Sequence, residues 1–392
     1  MRELELYIHI PFCVRKCAYC DFLSFGADSE TKSKYVDQLI LEIKDWQDAE
    51  AYSVSTVFFG GGTPSILPPG DILRIMEALK KRFSFAEKPE ITIECNPGTL
   101  DGKKLQAYRT CGINRLSIGL QSASQRELSC LGRIHTWEDF LEGFFGAREA
   151  GFENINVDLM SGLPGQSCAS WEDTLGRVTA LAPEHISAYG LMIEEGTPFY
   201  ERYGEDAKRQ KQGQEGGALP SEEEERRMYH RTKKLLGDAG YRRYEISNYA
   251  LPGRECRHNC GYWERKEYKG FGLGAASMTE NMRYANTADL ASYLAGKREE
   301  GLRQKLSVEE QIEETMFLGL RMSRGISRRE FLQKFGRTIE SVYEKTLWQL
   351  VEQGLIMESE GDQSCGTRED GRISLTERGI DISNYVLSQF LL

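Results

Sequence analysis

The sequence predicts an α/β chain: a partial (β/α)6 TIM-like barrel followed by a small C-terminal winged-helix-like α+β domain. Three observations predict it. Short β-rich runs alternate with amphipathic stretches up to about residue 195. Polar or glycine residues gather at the end of each run. The last ~85 residues change to a helical pattern interrupted by two short β-rich runs.

The runs are ELYIHI (5–10), TVFFGG (56–61), EITIEC (90–95), RLSIGLQ (115–121), NINVDLM (154–160) and HISAYGLMI (185–193). Between them lie helical patterns; in 33–46, Val36, Leu39, Ile40 and Ile43 fall at helical spacing. Strand, helix, strand, repeated about six times, is the pattern of a parallel sheet with right-handed crossovers. Toward the C-terminal ends of the runs come His9 leading to Cys13, then Gly60-Gly61-Gly62-Thr63-Pro64, Glu94 with Asn96, Gln121 with Ser122, Asp158, and Tyr189. In (β/α) barrels the C-terminal rim builds the active site from the ends of several strands. Glu94 and Asp158 sit inside apolar runs, and buried carboxylates need partners. A ligand bearing amines and hydroxyls would supply them.

The barrel is expected over 1–203. Residues 204–225, charged and Gly-rich, read as a flexible insertion ahead of a helix starting near Ser221, with Ser221 and Glu224 as a capping box. Residues 226–304 read as a barrel extension, dense in aromatics and glycine over 241–277. In 305–392 a helix is expected over 308–322, a capping box at Ser327 and Glu330, and a helix over 339–353 ending at Gly354. LIME and RISLT are short strands around ESEGDQSCGTREDG, and a last helix runs to Leu392.

Composition narrows the function classes. The net charge of −10 over 392 residues argues against a generally nucleic-acid-binding surface. No apolar run is long enough to span a bilayer, and the N-terminus has no signal-peptide pattern. Ten cysteines are too sparse for a disulfide scaffold, and three crowd into CVRKCAYC. That clustering suggests reduced thiols, a metal and a cytoplasmic location.

Cys13, Cys17 and Cys20 form C-x3-C-x2-C. A structural zinc site wants four protein ligands, and an iron–sulfur cubane has four iron corners. Three thiolates leave one iron open, as a catalytic metal site requires. Asp21 is a hard anion beside a soft cluster. A Cys17/Cys20 dithiol would leave Cys13 surplus. Zinc and dithiol stay open behind the cluster reading.

YIHIPFCVRKCAYCDF resembles the cluster loop of radical S-adenosylmethionine (SAM) proteins. With GGGTP, ITIECNPG, GLQS, LGRIHT, INVDLMSGLPGQ, YEISNYALPG and CRHNCGYW in order, the chain is similar to oxygen-independent coproporphyrinogen III oxidase and its relatives. The oxidase follows its third cysteine with C-x-C, where this chain has Phe22, and carries a long segment before the cluster loop. CDF, the early start and H-N-x-x-Y-W at 258–263 resemble instead the HemW-like group of haem chaperones.

The resemblance implies a radical SAM barrel with a [4Fe-4S] cluster on Cys13, Cys17 and Cys20, whose fourth iron SAM chelates. It implies SAM contacts from Tyr7, the Tyr19 backbone, Gly61, Gly62, Thr63 and Glu94. Gln121, Arg133 and Asp158 match positions lining a second nucleotide-like ligand. His258 is the implied haem ligand, with Tyr262 and Trp263 to stack and Arg254 and Arg257 to pair with propionates. If 256–260 were extended, Cys256, His258 and Cys260 would share one face. Cys20 is followed by Asp21, so C-x2-C-H haem attachment is not expected.

The resemblance further implies delivery of haem to an acceptor protein and an electron donor of flavodoxin or ferredoxin type. It implies a monomer or homodimer, and a membrane association only through the acceptor. The alternative is a radical SAM oxidoreductase decarboxylating a porphyrinogen. Arg324, Arg328, Arg329, Lys334 and Arg337 give the tail some basicity, but acidic residues interleave, so nucleic acid is not expected as a partner.

Overall fold

The computed structural model describes residues 1–214, 217–298, 303–359 and 371–392. The barrel half alternates β1 (Arg2–Ile10), α1 (Ser29–Asp45), β2 (Tyr52–Gly61), α2 (Pro69–Arg82), β3 (Ser84–Cys95) and α3 (Gly102–Cys111). It continues with β4 (Arg115–Gln121), α4 (Gln125–Cys130), α5 (Trp137–Glu149), β5 (Ile155–Ser161), α6 (Cys168–Thr179) and β6 (His185–Gly190). These six strands pair in parallel in sequence order. Such strands are covered on both faces, which is why RLSIGLQ is buried at every position except Gln121.

After β6 come α7 (Pro198–Lys211), α8 (Glu222–Asp238), β7 (Arg242–Arg243), β8 (Asn248–Ala250) and α9 (Arg257–Trp263). Then follow β9 (Tyr268–Phe271), β10 (Ala276–Thr279), β11 (Met282–Ala285), α10 (Leu290–Leu294) and β12 (Gln304–Lys305). β9 joins β1 in parallel and is prolonged by β10, β11 and β12, while β8 and β7 extend the β6 side. The barrel is therefore an open twelve-stranded arc. The outer helices pack on it through one apolar stripe each; α1 buries Tyr35, Val36, Leu39, Ile40 and Ile43 and is capped by Asp28, which accepts from the Thr31 amide.

The tail comprises α11 (Val308–Gly319), β13 (Ile326–Ser327), α12 (Arg328–Phe335), α13 (Ile339–Glu352), β14 (Ile356–Ser359), β15 (Arg372–Leu375), α14 (Glu377–Asp381) and α15 (Ser383–Ser388). Its strands form a separate antiparallel sheet ordered β13-β15-β14, and its apolar residues form their own core. That is the winged-helix-like α+β domain. A small cluster of Tyr244, Ala250 and Met322, with Cys260 and Trp263 against it, joins it to the barrel.

Four elements differ from expectation. The charged insertion is helical to Lys211: Thr197 caps α7 and Pro198 opens it, and Phe199 anchors it against Leu131 and Leu163. The sixth strand stops at Gly190 rather than Ile193. The segment around His258 is helical rather than extended, because Glu90 accepts from the Arg257 and His258 amides at the helix start. The last helix is two short ones. Residues 215–216 of the insertion and 360–370 of the wing turn lie outside the described residues. Among the described residues no helix is long and apolar enough to cross a membrane.

Candidate cofactor site

The three cysteines ride a loop between β1 and α1 that is pinned at its base. The Cys13 amide donates to Phe25 O (3.0 Å) and the Phe25 amide to Pro11 O (2.8 Å). Phe12 is buried edge-on to Phe25 and Tyr35. Further out, the Ala18 amide donates to Leu131 O (3.2 Å) and the Phe199 amide to Ala18 O (3.0 Å), so the turn before α5 and helix α7 both hold the loop. Tyr19 packs edge-on to Phe199 beside this contact.

Cys13, Cys17 and Cys20 are free and half-buried, while Asp21 is exposed. Thr63 Oγ1 lies 3.6 Å from Cys13 Sγ and Arg133 Nη1 lies 3.5 Å from Cys17 Sγ. Among the described residues no three His, Cys, Asp or Glu side chains stand close enough to hold a metal ion. The donor set fits an iron–sulfur cluster: three soft sulfurs, a hydroxyl and a guanidinium directed at two of them, and no histidine among them.

A hydrogen-bonded path connects two of the cysteines through the strand ends. Thr63 donates to Cys13 Sγ and accepts from Asn96 Nδ2 (2.7 Å). Asn96 Oδ1 accepts from Arg133 Nη2 (2.7 Å), which also reaches Gly119 O, and Arg133 Nη1 returns to Cys17. Gly119 makes room: a Cβ there would stand 3.1 Å from both Asn96 Oδ1 and Gln121 Nε2. Among the described residues Arg133 Nε is buried without a partner.

The glycine turn has a comparable steric reason. Gly61 has φ +117°, and a Cβ on Gly62 would stand 2.7 Å from Phe12 O and 3.0 Å from Cys13 Sγ. The Gly61 amide donates to Glu94 Oε2 (3.1 Å). His9 donates from Nε2 to Leu23 O (3.0 Å), so its Nδ1 accepts from the Tyr7 hydroxyl (3.1 Å). Burial pulls His9 below its usual range.

Below the rim lies an interior cavity of about 140 Å³ whose lining includes Tyr7, Glu94, Arg115, Asp158, His258 and Tyr262. Asp158 accepts from Ser117 Oγ (2.9 Å) and Asn156 Nδ2 (2.8 Å). His185 bridges Asn156 Oδ1 (2.6 Å) and the Tyr244 hydroxyl (2.8 Å). Arg115 is fully buried with Nε unpaired. Burial, and then the Asp158 charge, push Glu94 up to about 8.

His258 faces this cavity from α9 and is 3% exposed. Its Nδ1 bonds Thr56 Oγ1 (2.7 Å), its Nε2 bonds the Tyr262 hydroxyl (3.2 Å), and its ring stacks on Phe58. Burial, with Arg115 nearby, pulls it down to about 3. Cys256 borders the same cavity and donates to Glu90, whereas Cys260 turns away and packs with Tyr244 and Met322. Trp263 points away from Tyr262, toward the tail. Arg257 is held by Lys88 O (2.8 Å).

The sequence reading missed Arg115, Asn156 and His185. The signal was present: polar residues at every second position of otherwise apolar runs, as in Arg115-Ser117, Asn156-Asp158 and His185-Ser187-Tyr189, mark an inward face.

The Radical SAM superfamily pattern matches residues 7–178, and that of the HemN C-terminal domain matches 306–382. The chain is 35% identical over 392 residues to heme chaperone HemW of Bacillus subtilis, covering 98% of each. It is 33% identical over 388 residues to that of Lactococcus lactis, covering 98% of this chain and 97% of the other. With that of Escherichia coli it shares 38% identity over 274 residues, 69% of each. The solved structure of coproporphyrinogen III oxidase (HemN) from Escherichia coli, a radical SAM enzyme, covers 100% of this chain and 90% of its own, with TM-score 0.82 and 24% identity. That likeness fixes the fold. The identities of 35% and 33% over 98% of this chain place it in the HemW family of the radical SAM superfamily.

Proposed function

We propose that the chain is a haem-binding chaperone. It carries a [4Fe-4S] cluster on Cys13, Cys17 and Cys20, takes SAM at the bare iron corner, and passes haem to an acceptor protein. The observation that carries the cofactor half is the path Cys13–Thr63–Asn96–Arg133–Cys17, which ties two of the three sulfurs to the rim where SAM would lie. The haem half rests on the full-length relatives, themselves named heme chaperones.

When bound, the cluster would supply an electron and an open coordination position for the amino and carboxylate groups of SAM. The chain's own residues do the rest. Gly61 and Gly62 let the ligand approach the backbone, and Tyr7 and the Tyr19 backbone flank it. Glu94, carrying its proton near neutral pH, can donate to a hydroxyl as well as accept from Gly61. Arg133 holds positive charge against the Cys17 sulfur, and Gln121 and Asp158 border a second ligand position deeper in the barrel.

His258 would ligate iron by giving up one of its bonds, to Thr56 at Nδ1 or to Tyr262 at Nε2, the other keeping the ring oriented. In the described arrangement it positions α9. A flavodoxin- or ferredoxin-type protein would supply the electron.

The test is an anaerobic haem titration of the reconstituted, reduced chain, followed at the Soret band. Stoichiometric uptake, and its release to an apo-haemoprotein, are expected. Absence of any uptake with an intact cluster contradicts the reading, and turnover of coproporphyrinogen III by the same preparation would favour the oxidase instead.

A further inference from the structure

Helix α9 has two ends facing two cavities. His258, Asn259 and Tyr262 line the barrel interior, whereas Trp263, the last residue of the same motif, lines a crevice of about 290 Å³ against the tail. This crevice is about twice the size of the barrel cavity of about 140 Å³.

Its charge is unusual for a chain of net charge −10. Four cations, Lys266, Arg324, Lys334 and Arg372, line it with two carboxylates, Glu264 and Glu330, and Lys266 is also held by Glu3 from outside it (3.1 Å). Glu264 is already shared by Lys266 and Arg324. Arg372 donates to the backbone carbonyls of Arg324 (2.8 Å) and Gly325 (2.9 Å). Among the described residues neither Arg372 nor Lys334 has a carboxylate at ion-pair distance.

A buried donor at the crevice also lacks an acceptor: among the described residues Trp263 Nε1 has no partner, and its ring is covered on the far side by the Arg321 guanidinium at 4.5 Å. A buried N–H without an acceptor is costly, and here an anionic oxygen would satisfy it. Phe331 and Met322 supply apolar walls.

We propose that this crevice seats an amphipathic dianion and, on the haem-chaperone reading above, that the dianion is haem held by its two propionates. Lys334 and Arg372, the two lining cations with no carboxylate at ion-pair distance among the described residues, would each take one propionate. Pockets that enclose a drug-sized ligand run to roughly 300–1,000 Å³, so the crevice takes the propionate edge and leaves the rest of the macrocycle outside. A cargo that must be handed on is then reachable by its acceptor without opening the barrel.

The experiment titrates the full-length, cluster-loaded chain with haem, with iron-free protoporphyrin IX and with protoporphyrin dimethyl ester, following the Soret band and tryptophan fluorescence. Haem and the free diacid bind, since recognition here does not need iron. The diester binds about tenfold or more weakly, as loss of charge-assisted hydrogen bonds dictates. Lys334→Gln and Trp263→Phe each weaken haem about five- to tenfold, with iron content and SAM binding unchanged.

Diester binding equal to diacid binding overturns the crevice on the unaltered protein, whatever the variants do. So does uptake lost in His258→Gln but kept in both crevice variants. Either result leaves the haem-chaperone reading standing. No haem uptake by the unaltered chain brings down both.

Discussion

The cysteines at the rim of the barrel and the histidine at its floor are held in different ways. At the rim the cysteines are half-buried and bonded only at their edges, and Arg133 keeps one buried donor unused. At the floor, Glu90 gathers the Cys256 thiol and the Arg257 and His258 amides, and His258 has a partner on each ring nitrogen. The rim is built to receive something. The floor is built to hold a helix whose far end faces the tail. Both ring nitrogens of His258 already have partners in this arrangement, so haem ligation by His258 would require one of them to be released.

The largest effect expected from breaking the rim is loss of the cluster. Cys17→Ala leaves too few thiolates, so iron and sulfide after reconstitution fall to background while far-UV circular dichroism is unchanged. Next, Arg133→Met severs the path between Asn96 and Cys17; SAM affinity falls on the order of 10- to 100-fold by equilibrium dialysis, the usual cost of losing charge-assisted hydrogen bonds.

At the floor the same logic predicts a folding cost. His258→Ala empties a packed site and strands Thr56, so urea denaturation should show a loss of about 2–4 kcal/mol. Gly261→Ala tests the same packing, because a Cβ there would stand 1.9 Å from Glu5 Oε1. It destabilises by about 1–3 kcal/mol.

The smallest effect sharpens the contrast by pH. Glu94 faces Gly61, Asp158 and Arg115, and burial raises it to about 8 in the folded chain from the ordinary carboxylate value of 4.5. The folded state therefore binds the extra proton between those values. Its contribution to stability is complete below about 4.5 and is lost as pH rises through about 8. Glu94→Gln should flatten that part of the pH–stability curve, and an unchanged slope would place the proton elsewhere.

Much of the barrel was legible because its physics is local. Parallel strands buried on both faces read as apolar runs, and RLSIGLQ matches β4 residue for residue. The tail was legible through caps: Ser327 accepts from the Glu330 amide, and α13 closes just before Gly354. The positions of the rim residues followed from the strand ends. What was not legible depends on contacts distant in sequence. The helical state of 257–263 is imposed by Glu90, which lies far upstream. The path through Asn96 and Arg133 joins two different loops, and no spacing rule announces it. The tail crevice likewise exists only once α9 and α12 are packed together.

The most direct test of the account is electron paramagnetic resonance of the anaerobically reconstituted, reduced chain, recorded with and without SAM. Three thiolates and one open iron predict a [4Fe-4S] signal whose g values move on adding SAM, and which disappears in Cys17→Ala. A chain that takes up zinc but no iron or sulfide, or a cluster signal indifferent to SAM, would contradict it.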